Sequence, residues 1–445
     1  MTEGTIWKHL LFFALPLIAG SVFQQMYNMV DSIVVGNFVG KEALAAVGSV
    51  NPIIFALIGF FSGFATGAGV VISQYYGAGD EENVSNTVQT TVALSFILCV
   101  ILSIAGVLVT DPLLRIMGSP DDVISLSSEY LKIYFAGLSG LLIYNMASGI
   151  LRAVGDSRHP LYFVIFSACV NTVLDLVFVI VFHWGVAGAA WATVIAQALS
   201  AVLELWILTR TQGCYRIIWS RIKVHTNIMR KILKVGMPSA IQMTITAISN
   251  VFVQSYINAF DSSVMAAWSA YLKLDAFMML PMMNIGLSAT TFVGQNVGAG
   301  KISRAKQGTK TAFLQAEAIT IVVMIILMVF APQLVRLFTP NEEVIQYGTF
   351  LIRLMSPFYV TCCVNQVFSG SLRGAGDTRA PMIIMLMSFV VFRQIYLFIV
   401  SRTLGTLTWV ALGYPAGWII CSVTTFIYYR SGSWRKQTYL ITEQN

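Results

Sequence analysis

The chain has 445 residues, of which 57% are hydrophobic and 11% charged, with a formal net charge of +7. A soluble globular chain averages about 25% charged residues. The deficit runs the whole length, so the composition excludes an ordinary soluble domain, and basic loops beside a lipid bilayer account for the excess positive charge without nucleic acid as a partner.

A membrane span needs about 20 largely apolar residues. Reading along the chain predicts twelve, roughly at 9–37, 46–76, 87–110, 124–150, 161–182 and 186–209, then at 231–259, 265–297, 308–331, 344–371, 382–401 and 407–429. Thr5 to Val35 is too long for a cleavable signal peptide and has no small-residue cleavage site. With the N-terminus placed in the cytoplasm, nineteen lysines and arginines fall in inward segments. Four fall in outward loops (Lys41, Arg115, Arg336 and Arg402), alongside the acids Asp111, Asp121, Asp122, Asp261, Glu342 and Glu343. This bias predicts a multi-pass protein of the cell membrane with both termini cytoplasmic. The six cysteines show no metal-ligand spacing, and Cys362-Cys363 reads as packing.

The chain is one unit written twice. Leu151-Arg152-Ala153-Val154-Gly155-Asp156-Ser157-Arg158-His159-Pro160 recurs as Leu372-Arg373-Gly374-Ala375-Gly376-Asp377-Thr378-Arg379-Ala380-Pro381, an offset of 221. Gln74 with Gly77-Ala78-Gly79 matches Gln295 with Gly298-Ala299-Gly300 at the same offset, and Pro16 matches Pro238 at 222. Six spans per half is an even number, so the repeats are parallel, a common build for a transporter. The expected fold is therefore an all-α integral membrane protein: twelve helices in two pseudo-symmetric six-helix bundles around a central cleft. Its expected parts are a first lobe over 1–209, a cytoplasmic linker over 210–230, a second lobe over 231–430 and a cytoplasmic tail over 431–445. The basic linker, with Trp219, reads either as lying on the anionic leaflet or as a plain solvated loop.

Ionisable groups at membrane depth cost several kcal/mol, so each is a candidate for function. In the first half these are Asp31, about two-thirds along the first span, and Asp175, four residues after Asn171 and hence on one helix face with it in the fifth span. Thr193 adds a hydroxyl from the sixth span. Two carboxylates, an amide and a hydroxyl form an oxygen-only set that suits a small hard cation such as Na⁺. They suit a shared proton equally, because two neighbouring carboxylates in an apolar cavity cannot cheaply both ionise. The second half does not repeat the set: Asn171 and Asp175 map to Phe392 and Tyr396, and Asp31 maps near Phe252 or Val253.

The second half has its own polar groups: Lys273, Asp275, Glu317, Arg353 and Arg393. Lys273 and Asp275 are two apart and do not face each other on a regular helix, so each is expected to find a partner across helices. Gln24, Asn145, Lys273, Asp275 and Arg393 are candidate contacts for substrate or within the second lobe. Glu204 and Lys132, near span ends, are expected to snorkel. Pro16 lies fifteen residues before Asp31, about 22 Å along an ideal helix, and is a candidate hinge coupling cation occupancy to helix bending. Met278, Met279, Met282 and Met283 flank Pro281 and read either as an adaptable wall or as lipid-facing packing. No Gly-x-x-x-x-Gly-Lys-Ser/Thr phosphate loop, zinc pattern or Gly-x-Ser-x-Gly nucleophile motif in a plausible context is present, so the chain does not read as an enzyme and no cofactor is expected.

With Pro16, Gln24-Gln25, Asp31-Ser32-Ile33-Val34-Val35-Gly36, the Gln74 and Gln295 loops and the two Leu-Arg-x-x-Gly-Asp-Ser/Thr-Arg loops in hand, the chain resembles the multidrug and toxic compound extrusion (MATE) transporters over essentially its whole length. The resemblance implies two six-helix lobes around a cleft. It also implies export of organic cations and other amphipathic small molecules in exchange for H⁺ or Na⁺, by a protein expected to be monomeric. In that family an aspartate on the first span, an Asn-x-x-x-Asp pair on the fifth and a threonine on the sixth form a cation site, here Asp31, Asn171, Asp175 and Thr193. One branch also carries acids in the seventh and tenth spans; here 241–259 has none and the tenth span offers Asn365 and Gln366. A flippase for lipid-linked precursors, with Lys273, Arg353 and Arg393 holding a diphosphate, is the alternative from a related fold.

Overall fold

A computed structural model describes residues 1–116 and 121–436. Residues 437–445 of the expected tail lie outside the described residues, as do the side chains of Lys41, Asp121 and Asp122 from the outward-loop count. The described chain is helical without a strand.

The first half runs Ile6–Phe38, Lys41–Ala78, Glu81–Ile116, a bent fourth span of Val123–Ala136 plus Leu138–Ala153, Arg158–Val181 and Gly185–Arg210. The second runs Thr226–Ile257, Ser262–Gly298, Ile302–Val329, Glu342–Gly374, Arg379–Thr403 and Leu407–Ser431. Among the described residues ten helices are long and apolar enough to cross a membrane, and the fourth span, bent by 48° between its two parts, makes eleven. The twelfth, Thr226–Ile257, carries Arg230, Lys231 and Lys234 in its first turns, which lowers its apolar character. Single helices satisfy every backbone polar group without water, which is why a chain of this composition resolves into them. The tenth span is not one regular helix: Ser356–Phe358, with Pro357, forms a tighter 3₁₀ turn where proline removes a backbone donor.

Two compact units emerge, Ala19–Ala240 and Met1–Ile18 with Ile241–Asn445. The chain passes between them two residues after Pro16 and two after Pro238, inside the opening helix of each half. Within the second of these units, the N-terminal segment is tied down by Arg304, whose Nη2 donates to the carbonyls of Met1, Glu3 and Gly4 at 2.8–3.3 Å, and by Ser288 Oγ to Leu10 O at 3.1 Å. In the other unit the linker is strapped along the third span. Gln89 donates to Arg216 O (2.9 Å) and accepts from Ile218 N (3.3 Å), while Thr90 bonds Lys223 O and His225 N.

The repeated motifs are helix caps. Gly155 and Gly376 have φ of 99° and 94°, and their N–H groups close onto Arg152 O and Arg373 O at 3.0 and 2.8 Å. Only glycine takes that turn without strain. The following aspartates then cap the next helix: Asp156 Oδ1 accepts from Arg158 N and His159 N, and Asp377 Oδ1 accepts from Ala380 N. The Gly79 and Gly300 turns, at φ 74° and 71°, end the second and eighth spans in the same way.

Close helix packing uses small residues, as apolar contact alone does not drive helices together in lipid. The eighth and tenth spans meet where Thr290 Oγ1 donates to Gly286 O (3.0 Å) and Gly370 O (2.9 Å), and a Cβ on Gly370 would collide with the Gly286 backbone. Gly370→Val is therefore expected to destabilise the folded protein by about 1–3 kcal/mol. A lowered midpoint in detergent thermal unfolding checks this; an unchanged midpoint would mean that the two helices separate freely.

Candidate functional site

The four first-half candidates come together in one unit. Asp175 and Asn171 are 0% and 2% exposed, and Thr193 is 9% exposed. Asn171 Nδ2 donates to Thr193 Oγ1 at 3.4 Å, which links the fifth span to the sixth. Asp31 and Asp175 are close enough to act on each other electrostatically. Asp31 Oδ1, Asn171 Oδ1 and both carboxyl oxygens of Asp175 are buried without a hydrogen-bond partner among the described residues. A buried acceptor left unpaired costs about 1–3 kcal/mol, more if charged. So dense a set of orphaned oxygens is chemically suited to an added proton or small cation.

Local structure aims these groups. Asp175 is the last residue before a turn of π-helix at Leu176–Val181, where Phe182 N bonds back to Val177 O at 2.9 Å. Such turns re-aim the side chains beside them and are frequent at functional sites. The phenols of Tyr27 and Tyr130 lie within electrostatic reach of the two carboxylates, and the side chains of Gln24 and Gln197 neighbour the Tyr27 hydroxyl. Gln24 is thus placed next to Tyr27 rather than among the four candidate ligands. Asn145 stands apart, accepting from Ser62 Oγ at 3.4 Å and donating to Leu141 O at 2.8 Å. Tyr27, Tyr130 and Gln197 carried no signal in the sequence beyond their spacing, since neutral side chains in a greasy helix are unremarkable until their neighbours are known.

In the second half the charged candidates do not pair with one another. Lys273 Nζ stacks over the Phe338 ring at 5.2 Å. Asp275 Oδ1 accepts from Tyr271 OH at 3.2 Å and from Tyr359 OH, while the two phenols bond each other at 3.0 Å. Arg393, 2% exposed, donates to Ser249 Oγ and Asn250 Oδ1, each at 2.9 Å, and its guanidinium lies 4.8 Å from the Tyr414 ring. At the repeat offsets Ser249 stands where Tyr27 does, Tyr414 where Thr193 does and Trp418 where Gln197 does. The place that holds two acids in the first half thus holds a buried cation, a serine and aromatic rings in the second. Of the methionines beside Pro281, Met278 and Met282 are core residues and Met283 is half exposed.

Glu204 corrects the expectation of snorkelling. It is fully buried, with Ser148 Oγ donating to its Oε1 at 2.6 Å and its Oε2 unpartnered. The sixth span runs on to Arg210, so Glu204 sits a turn and a half inside the helix end, too deep for its short stem to reach water. Lys132 does reach the surface and pairs with Asp111 at 2.7 Å.

Comparison with known proteins agrees with the duplicated build. The MatE family pattern matches residues 16–177 and again 238–399. The probable multidrug resistance protein YpnP of Bacillus subtilis (strain 168) is 30% identical over 443 residues, covering 100% of this chain and 99% of that one. YoeA, a probable multidrug resistance protein of the same organism, is 28% identical, covering 98% and 96%. A solved structure described as the outward-facing conformation of a multidrug resistance MATE family transporter of the MOP superfamily superposes with a TM-score of 0.91 at 25% identity, covering 98% of both chains. The match across both halves, the sequence relatives and the shared fold place this chain in the MatE family of multi-pass membrane multidrug transporters.

Proposed function

We propose that this protein is a secondary antiporter of the cytoplasmic membrane, with both termini inside, that exports organic cations and other amphipathic compounds in exchange for H⁺. The observation that carries the reading is the buried, unpartnered oxygen set of Asp31, Asn171 and Asp175 beside Thr193. A cation held there neutralises charge that the membrane disfavours, so occupancy shifts the balance between conformations that hold the pair differently. Na⁺ would use the same oxygens. The phenols of Tyr27 and Tyr130, within electrostatic reach of both acids, are groups that can exchange a proton with the pair, and this favours H⁺ in our reading. Pro16, two residues before the first helix changes unit, is the proposed hinge. The transporter is expected to act as a monomer, since the oxygen set lies within one unit of one chain.

The flippase reading is not favoured. Its three candidate phosphate ligands are engaged separately: Lys273 on Phe338, Arg353 Nε on Met328 O at 3.4 Å, and Arg393 on Ser249 and Asn250.

The test is proteoliposome transport of the fluorescent cation ethidium, driven in turn by a pH gradient and by a Na⁺ gradient. Movement driven by the pH gradient alone is the expected result. Movement driven only by Na⁺ would reassign the coupling ion to the same residues, and movement under neither gradient would overturn antiport.

A further inference from the structure

On the surface of the first half a groove runs between the third, fourth and sixth spans, lined among others by Val92, Phe96, Ile143, Ala147, Leu205 and Leu208, with about 250 Å³ of open space. Its one polar side chain, Ser95, donates to Thr91 O at 2.7 Å, so the groove offers nothing to a polar occupant. Phe96 and the adjoining Ile97, Val202 and Trp206 are exposed, which turns the groove toward lipid. The repeat shows why it is open here. At the offset of 221, Val92, Ala147, Leu205 and Leu208 become Phe313, Phe368, Phe426 and Tyr429. The Phe368 ring packs on the other three at 4.9–5.6 Å, so rings fill in the second half what the small Ala147 leaves open in the first. The linker closes one end of the groove. Ile217 N donates to Leu208 O (2.9 Å) and Arg216 Nε to Thr209 O (3.0 Å), while Gln89 and Thr90 hold the same segment on the third span. Trp219, half exposed, has its ring 6.4 Å from that of Phe96. This segment also carries Arg216, Arg221 and Lys223, which with Arg210 at the end of the sixth span are all exposed. No acid occurs between Leu205 and Gly236.

We infer that this groove and its basic rim bind an anionic phospholipid, with an acyl chain along the groove and the headgroup phosphate against Arg216 and Arg221 beside Trp219. The inference goes beyond the antiport reading and does not depend on it. A groove open to the bilayer takes up a lipid chain whatever the headgroup, so the chain supplies contact and the charge supplies selection. Lysines and arginines just outside a span attract anionic headgroups, and the planar guanidinium matches phosphate with two parallel hydrogen bonds. Trp219 marks the level of the headgroups, where its amphipathic ring is at home. A lipid held there joins the linker to the third, fourth and sixth spans, and the ring-filled second half has no counterpart.

The test is native mass spectrometry of the purified full chain in detergent, titrated with phosphatidylglycerol and, separately, with phosphatidylcholine of the same acyl chains. The wild type is expected to hold phosphatidylglycerol more tightly than phosphatidylcholine. The double variant Arg216→Gln, Arg221→Gln is expected to weaken phosphatidylglycerol about thirtyfold, or about 1 kcal/mol for each base, and to leave phosphatidylcholine unchanged. Ala147→Phe, which gives the first half the ring that the second half has at this position, is expected to weaken both lipids by filling the groove. Ile143→Trp, at a half-buried lining position, serves if that variant does not accumulate. Equal affinity of the wild type for the two lipids overturns the inference, as does phosphatidylglycerol binding that ignores the loss of both arginines. Binding unmoved by the groove-filling variants places the lipid elsewhere and overturns it too. No transport is read in this assay, so its failure and the failure of antiport are seen separately.

Discussion

Replacing Asp31 by asparagine should reduce ethidium movement under a pH gradient to the rate of protein-free vesicles, with the protein still folded and inserted. Asparagine has nearly the same shape as aspartate, so packing in the first span survives, but the amide cannot hold or release a proton. Coupling free energies between two ligands are typically 1–3 kcal/mol, which is about 5–150-fold in relative affinity. Losing that coupling leaves the two conformational states unbiased by the gradient, so the expected fall is to background rather than by a modest factor. Because Asp31 and Asp175 act on each other, the two should behave as one functional unit. The double variant Asp31→Asn, Asp175→Asn is therefore expected to be no worse than either single variant. Wild-type drug resistance in cells carrying Asp31→Asn, or strictly additive losses in the double variant, would remove the acid pair from the mechanism.

Asp175→Asn should raise thermal stability while it abolishes gradient-driven transport. Both oxygens of Asp175 are buried without partners, and a second acid lies within electrostatic reach. An arrangement of this kind stores unfavourable free energy that a neutral isostere relieves, and its amide gains two donors that the orphaned oxygens of Asp31 and Asn171 can accept. A gain of about 1–2 kcal/mol is the expected scale, equivalent to a rise of about 2–4 °C in unfolding midpoint per kcal/mol for a unit of this size. Function would then be seen to cost stability at the site, as is common where activity needs strain. A fall in the midpoint of Asp175→Asn in detergent would show instead that the carboxylate is a structural acceptor.

Much of the fold was legible from residues alone. Spans announce themselves because every apolar window of sufficient length has one stable solution in lipid, and the 221-residue offset exposed the duplication without any coordinates. The twelve helices match the twelve expected spans, including the weakly apolar Thr226–Ile257. The repeated loops were visible as motifs, but their meaning as left-handed glycine turns followed by aspartate caps came from backbone angles. Glu204 lies near a span end in the sequence, and nothing local signals that Ser148 of the fourth span faces it. Lys273 and Asp275, two apart on one helix, form no ion pair with each other among the described residues. That their partners would be Phe338 on one side and Tyr271 with Tyr359 on the other had no local signal.

The sequence by itself determined everything that depends on neighbours along the chain: spans, their duplication, and the shared helix face of Asn171 and Asp175. These follow from hydropathy and a 3.6-residue repeat, which are properties of a single window. Tertiary structure decided which helix faces lie against which: Asp31 within electrostatic reach of Asp175, Asn171 bonded to Thr193, Glu204 buried under Ser148, and Arg393 on Ser249 and Tyr414. Lateral packing in a bilayer rests on small-residue contacts and single interhelical hydrogen bonds, such as that of Thr290 on Gly370, and those join positions that no stretch of sequence brings together.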